Sequence, residues 1–143
     1  MPINRTPPPP NAAMAVAASA LKAQQSRMRV IAENIANANS TAKTAGGDPY
    51  RRQVAVFRPD DKVTDGADGV KIARIAPDMK DFRVTYDPGH PAADEKGYVK
   101  LPNVDSLVEA LDMREAQRAY EANLNVIETA RAMEARTLDL LRK

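Results

Sequence analysis

Cysteine and tryptophan are missing from the chain, histidine occurs once, and the other aromatics are few. Without cysteine there are no disulfides, thiolate nucleophiles or thiolate metal ligands. Aromatics make up 4% of the residues, and the 43% counted as hydrophobic includes many alanines, so any core is thin. No apolar run approaches the ~18 residues that a membrane helix needs, so direct membrane insertion is not expected. Residues 1–11 hold Arg5 and the tetraproline Pro7 to Pro10 where a cleaved secretory signal would carry an apolar stretch. Neither sign of charge dominates. The net value is +2 with both signs interspersed, which compels neither a nucleic-acid nor an anionic-membrane partner.

Catalytic patterns are missing too. There is no glycine-rich phosphate loop and no nucleophile–base constellation, so the sequence predicts neither an enzyme nor a bound cofactor. His90, with Asp87 and Asp94 nearby, lacks the further ligands of a metal site and reads as a loop histidine. Asp60, Asp61, Asp65 and Asp68 lack the spacing and terminal glutamate of a calcium loop, and read as turn residues. Asn39-Ser40-Thr41 matches a glycosylation sequon, a pattern common by chance. Tyr50-Arg51-Arg52 is basic without the aromatic interleaving of a nucleic-acid platform.

What is present falls into four parts. Residues 1–11 form a polar, proline-rich arm, expected to be extended and mobile. Residues 12–38 read as a helix, rich in alanine and free of glycine and proline, with Asn11 as its cap. A seven-residue repeat aligns Met14, Leu21, Met28 and Ile35, with Ala17, Gln24, Ile31 and Ala38 three positions on. That is a narrow coiled-coil-like seam. Residues 39–102 change character, since all six glycines lie here. Short β-type runs cover 53–58, 70–76 and 82–86, with a last short one at 98–101, and Asp65-Gly66 and Asp68-Gly69 mark a hairpin between the first two. The stretch 87–98, stiffened by Pro88 and Pro91, reads as a fixed connector. Residues 103–143 read as a second, longer helix, capped by Asn103 or Asp105. Its stripe runs through Met113, Ala116, Tyr120, Leu124, Ile127 and Ala130.

The fold class expected is therefore mainly α with a small antiparallel β insert, the long terminal helices packing as a coiled-coil-like hairpin. The assembly seam is assigned to Met14, Leu21, Met28, Ile31, Ile35, Met113, Tyr120, Leu124 and Ile127. Asn34, Asn37 and Asn123 lie on or beside these stripes, and polar seam residues fix register at a cost in stability. Burial inside one such hairpin is small against the entropy of ordering its helices. Two readings stay open: a free-standing hairpin docked on its own β module, or helices completed by neighbouring subunits.

The helical segments carry a resemblance. The run from Ser19 to Gln24, then Arg27 to Ala38, resembles the N-terminal signature of flagellar basal-body rod and hook proteins. Met113 and the run Arg118 to Asn123 resemble their C-terminal signature. Gly46 to Arg52, Asp87 to Asp94, Gly97 to Val99 and Pro102 to Val104 are similar to the proximal-rod C-type subunits. The resemblance covers roughly residues 19–143. It implies a structural subunit that assembles helically with itself and other rod subunits to transmit torque across the periplasm. It further implies contact with an adaptor to the membrane ring at the rod base, and export by the flagellar type III apparatus without signal cleavage. The start departs from the family, with Asn4, Arg5 and four prolines in place of a mildly apolar lead-in. A soluble helical-hairpin adaptor or chaperone-like binding module is the alternative.

Overall fold

A computed structural model describes residues 11–142. The proline-rich arm, apart from Asn11, lies outside the described residues. Two helices bracket two small sheets, in the order α1 (Ala12–Ala36), β1 (Gln53–Thr64), β2 (Ala67–Pro77), β3 (Arg83–Tyr86), β4 (Tyr98–Leu101) and α2 (Ser106–Leu141).

α1 starts where expected, with the Asn11 carbonyl accepting from the Ala15 N–H at 3.1 Å. It stops two residues early because Asn37 to Asn39 close into a turn, with Ala38 N–H donating to Ile35 O at 3.2 Å. At α2 the cap is Asp105, whose Oδ1 accepts from Leu107 N–H at 3.0 Å, satisfying an otherwise free first-turn donor. Asn103 is engaged elsewhere, as described below.

β1 and β2 form one two-stranded sheet and β3 and β4 another. Asp65-Gly66 makes the turn of the first, as the sequence predicts, and Gly66 takes a φ of 85° that suits glycine. One expectation needs correction: Asp60 and Asp61 lie inside β1, and Asp68 and Gly69 inside β2, not in a turn. A two-stranded ribbon has free edges on both sides, so Pro59 and its polar neighbours cost it little. In the second sheet, β3 and β4 run antiparallel with Arg83 opposite Leu101 and Tyr86 opposite Tyr98.

The described residues divide into two compact units. One comprises residues 11–26, 56–74 and 115–142. Its buried apolar residues are Ala12, Ala17, Ala23 and Ala116, so its packing depends on close backbone approach rather than bulk. Ser19 supplies a polar fastening there. Its hydroxyl donates to Val16 O at 2.7 Å and accepts from Val70 N–H at 3.0 Å. Beside it Gly69 has no room for a side chain: a Cβ would lie 2.5 Å from Ser19 Oγ and 2.6 Å from Val63 Cγ2.

The other unit comprises residues 27–55 and 75–114. Val30, Ile31, Ala38, Ala92, Val99 and Val104 form its apolar centre. The connector between β3 and β4 is tied down by its own chemistry. Asp94 Oδ1 accepts from both Lys96 and Tyr98 N–H at 2.9 Å, and Ala92 O accepts from Gly46 N–H at 3.1 Å. Gly97 has a φ of 86°, and a Cβ there would meet Tyr86 Cε2 at 2.9 Å. Its conformation and the nearby ring therefore both require glycine.

Candidate assembly interface

Two of the most deeply buried side chains in residues 27–55 and 75–114 are polar: Glu109 at 0% exposure and Asn34 at 1%. Glu109 sits in the first turn of α2, where the helix dipole favours a carboxylate. The Arg52 guanidinium holds it by donating from Nε to Oε1. The same guanidinium reaches Asp78 Oδ2 at 3.1 Å through Nη1 and Asp112 Oδ2 at 3.2 Å through Nη2. Asn103 Oδ1 accepts from Arg52 N–H at 2.8 Å, and its amide donates to Asp78 O and Lys80 O at 2.9 and 3.0 Å. Arg51 donates to the same two carbonyls at 2.8 and 2.9 Å and lies 4.1 Å over the Phe82 ring.

Asn34 completes the node from α1. Its amide treats Gln53 as a neighbouring strand would, accepting from N–H at 2.9 Å and donating to the carbonyl at 2.8 Å. Tyr50 Oη donates to Asn34 Oδ1 at 2.7 Å, and Asn34 Nδ2 donates to Glu109 Oε2 at 3.3 Å. Among the described residues no buried side-chain polar atom lacks a partner. The node thus joins α1, the root of β1, the segment before β3 and the start of α2.

Its titratable groups respond accordingly. Burial, then the charges of Glu33 and Glu109, raise the Tyr50 phenol above its ordinary value. Burial alone would lower Arg52, but the bonds and charges of Glu109 and Asp78 outweigh it and the net shift is upward. The Lys80 N–H, helped by Arg52, holds Asp78 below the usual carboxylate range. The arrangement is a fastener: every polar group is paired, and none is poised as a nucleophile. No group of three or more potential metal ligands converges among the described residues. His90 Nδ1 accepts from Ala92 N–H at 3.0 Å within its own loop.

The residues singled out in the sequence are placed as follows. Ile31 is buried, Met14, Leu21, Met28, Met113, Tyr120 and Ile127 are half-buried, and Ile35 and Leu124 are exposed. Asn34 enters the node. Asn37 donates to Glu33 O at 2.8 Å and accepts from Ser40 Oγ at 3.2 Å, finishing its own helix. Asn123 donates to Ala119 O at 2.7 Å, one turn back on α2. Sequence reasoning missed Arg52, Asp78, Asn103, Glu109 and Asp112. One signal was available: Glu109 has Asp105, Ser106, Asp112 and Met113 at helix-neighbour spacing, and none is a cation. Beyond the node, large apolar side chains remain uncovered. Leu107, Val108 and Leu111 are exposed at the start of α2. All of residues 131–142 are exposed, with Met133, Leu138, Leu140 and Leu141 among them.

A family model described as flagella basal body rod protein matches residues 14–42. Another, described as flagellar basal body rod FlgEFG protein C-terminal, matches residues 95–140. The chain is 48% identical over 134 residues to the flagellar basal-body rod protein FlgC of Agrobacterium fabrum, covering 94% of this chain and 96% of that one. It is 41% identical over 125 residues to FlgC of Salmonella typhimurium, covering 87% and 92%. For FlgC of Bacillus subtilis the identity is 36% over 140 residues, covering 87% and 93%.

Proposed function

The chain belongs to the FlgC family of flagellar basal-body rod proteins and is a structural subunit of the rod, and from that premise we propose how it assembles. Residues 12–38 and 103–143 pair as one helical assembly domain, and neighbouring rod subunits supply the burial that one chain lacks. Met14, Leu21, Met28, Ile31, Ile35, Met113, Tyr120, Leu124 and Ile127 form the coiled-coil-like seam of that domain. Asn34, Asn37 and Asn123 set its register, with Asn34 acting through Gln53 and Glu109.

The observation that carries this reading is the end of α2. A helix exposed on every side over residues 131–142, yet bearing Met133, Leu138, Leu140 and Leu141, lacks a partner for its apolar side chains. A rod that transmits torque across the periplasm draws stiffness from such helices once they interlock. Contacts with an adaptor at the membrane ring, and export by the type III apparatus without signal cleavage, belong to the same reading. No described helix is long and apolar enough to cross a membrane. The adaptor or chaperone alternative is not favoured by the family matches.

Leu138→Asp with Leu141→Asp tests the proposal. Both side chains are exposed in the single chain, so the melting temperature of the purified protein should stay within ~4 °C, as for two surface changes of under ~0.5 kcal/mol each. Cells carrying the variant should lack rods in fractionated basal bodies and should not swim. Normal rods would show that the end of α2 is not an assembly surface.

A further inference from the structure

An aspartate followed by glycine is prone to rearrange its own backbone, because glycine leaves its nitrogen unhindered and its dihedrals free. The chain contains two such pairs three residues apart, Asp65-Gly66 and Asp68-Gly69. Both aspartates are exposed, so access to solvent does not separate them. Their glycines do. Gly66 is exposed at the tip of the β1–β2 hairpin with a φ of 85°, whereas Asp65 keeps a negative φ. Negative then positive is the pattern of a type II turn, with glycine third of its four residues. The bond that closes such a turn runs from the fourth N–H to the first carbonyl. The turn therefore makes no use of the Gly66 N–H.

Gly69 is held differently. It lies inside β2 and is buried. A Cβ there would lie 2.5 Å from Ser19 Oγ and 2.6 Å from Val63 Cγ2, so its backbone has no space in which to turn. The next N–H, that of Val70, donates outward to Ser19 Oγ at 3.0 Å. Successive N–H groups of a strand point to opposite sides, which directs the Gly69 N–H toward β1 and the ladder between the two strands. We propose that Asp65 is a site of spontaneous covalent modification, rearranging through a succinimide to isoaspartate, while packing keeps Asp68 intact.

The Gly66 nitrogen attacks Cγ of the protonated Asp65 carboxyl. A carbon–nitrogen bond forms, and the carboxyl hydroxyl leaves with the amide proton as water. Water then opens the five-membered ring. Addition at Cγ restores aspartate. Addition at the main-chain carbonyl breaks its bond to the Gly66 nitrogen and leaves the chain running through the former side chain. One water departs and one returns, so neither an oxidant nor a cofactor is consumed. The product has an extra methylene in the main chain of a two-residue loop, and a free α-carboxylate. That is the substrate class of isoaspartate carboxyl methyltransferases. Loop length sets hairpin register, so the change is felt at the tip of β1 and β2. Its extent grows with time and marks old subunits.

The test is to hold the full-length protein for several weeks in mildly acidic buffer, folded in one sample and unfolded by guanidinium chloride in another. Peptide mapping by chromatography and mass spectrometry then locates isoaspartate, and methyl transfer from S-adenosylmethionine by an isoaspartate methyltransferase counts it. In the unfolded sample both pairs should react alike, since glycine follows each aspartate. In the folded sample isoaspartate should build up at 65, with at most a trace at 68. Asp65→Glu, a surface change that keeps the charge, should remove the methyl-accepting signal of the folded protein, because glutamate would have to close a larger ring. Equal modification at 65 and 68 in the folded protein would overturn the proposal. So would an unmodified Asp65 in folded protein whose unfolded sample reacts, or a signal that survives Asp65→Glu.

Discussion

Glu109 is a carboxylate with no access to water, and its cost is met by Arg52 and Asn34. Removing Glu109 leaves Arg52 bonded to Asp78 and Asp112, so the loss is that of charge-assisted hydrogen bonds, ~1.5–3 kcal/mol. Glu109→Ala should lower stability by about that much in urea melts, whereas Asp112→Ala, at the node's exposed edge, should cost under ~1 kcal/mol. Asn34→Leu separates two roles. A helix–helix seam residue would gain stability on becoming apolar. Asn34 instead serves Gln53 N–H and C=O, and leaving those groups unpaired should cost ~1–3 kcal/mol. A variant at least as stable as the parent would refute the strand-mimic role.

The same residues set the pH window. The folded-state pKa of Tyr50 is raised, so its contribution is complete below pH ~10 and is lost as pH climbs through the folded value. Asp78 is shifted down, so its contribution is complete above pH ~4 and is lost as pH falls through the folded value. Melts across pH should show both limbs, with Tyr50→Phe flattening the alkaline one. An unchanged alkaline limb in that variant would exclude Tyr50 as its source.

At the scale of elements, both helices and the Asp65-Gly66 turn were legible, because glycine and proline punctuate the chain so sharply. The length of β1 was not, since Pro59-Asp60-Asp61 imitates a break that a ribbon edge tolerates. The node was illegible for another reason: hydrophobic periodicity reports apolar faces, and Asn34, Arg52 and Glu109 are buried without being apolar. Burial on α1 accordingly includes Ala23, Val30 and Asn34, which lie outside the seven-residue repeat read from sequence. Close approach was equally silent. Gly69 looks like turn chemistry but provides the space for Ser19 and Val63. Gly69→Ala should cost ~1–3 kcal/mol by overpacking, and Ser19→Gly, which clears the Oγ contact, should recover part of it. A double-mutant cycle showing strict additivity would disprove the coupling.

For the whole molecule, stability is uneven. Residues 131–142 have no cover, while the node fastens residues 27–55 and 75–114. Hydrogen exchange on dilute monomer should show protection centred on residues 50–104 and rapid exchange over 131–142. In isolated basal bodies the latter should become protected. Full protection of both helices in the monomer would contradict an assembly-dependent helix end.

The node also has a timetable. Glu109 follows Asn34 by 75 residues, which at ~5–20 residues per second of synthesis is a delay of about 4–15 s. Through most of that interval Asn34 and Arg52 are both made, but the carboxylate that joins them does not yet exist. The fastener cannot close on a growing chain until α2 has begun to emerge, and loop closure over that separation slows it further. A nascent rod subunit therefore has a built-in period in which its ends are still unlocked.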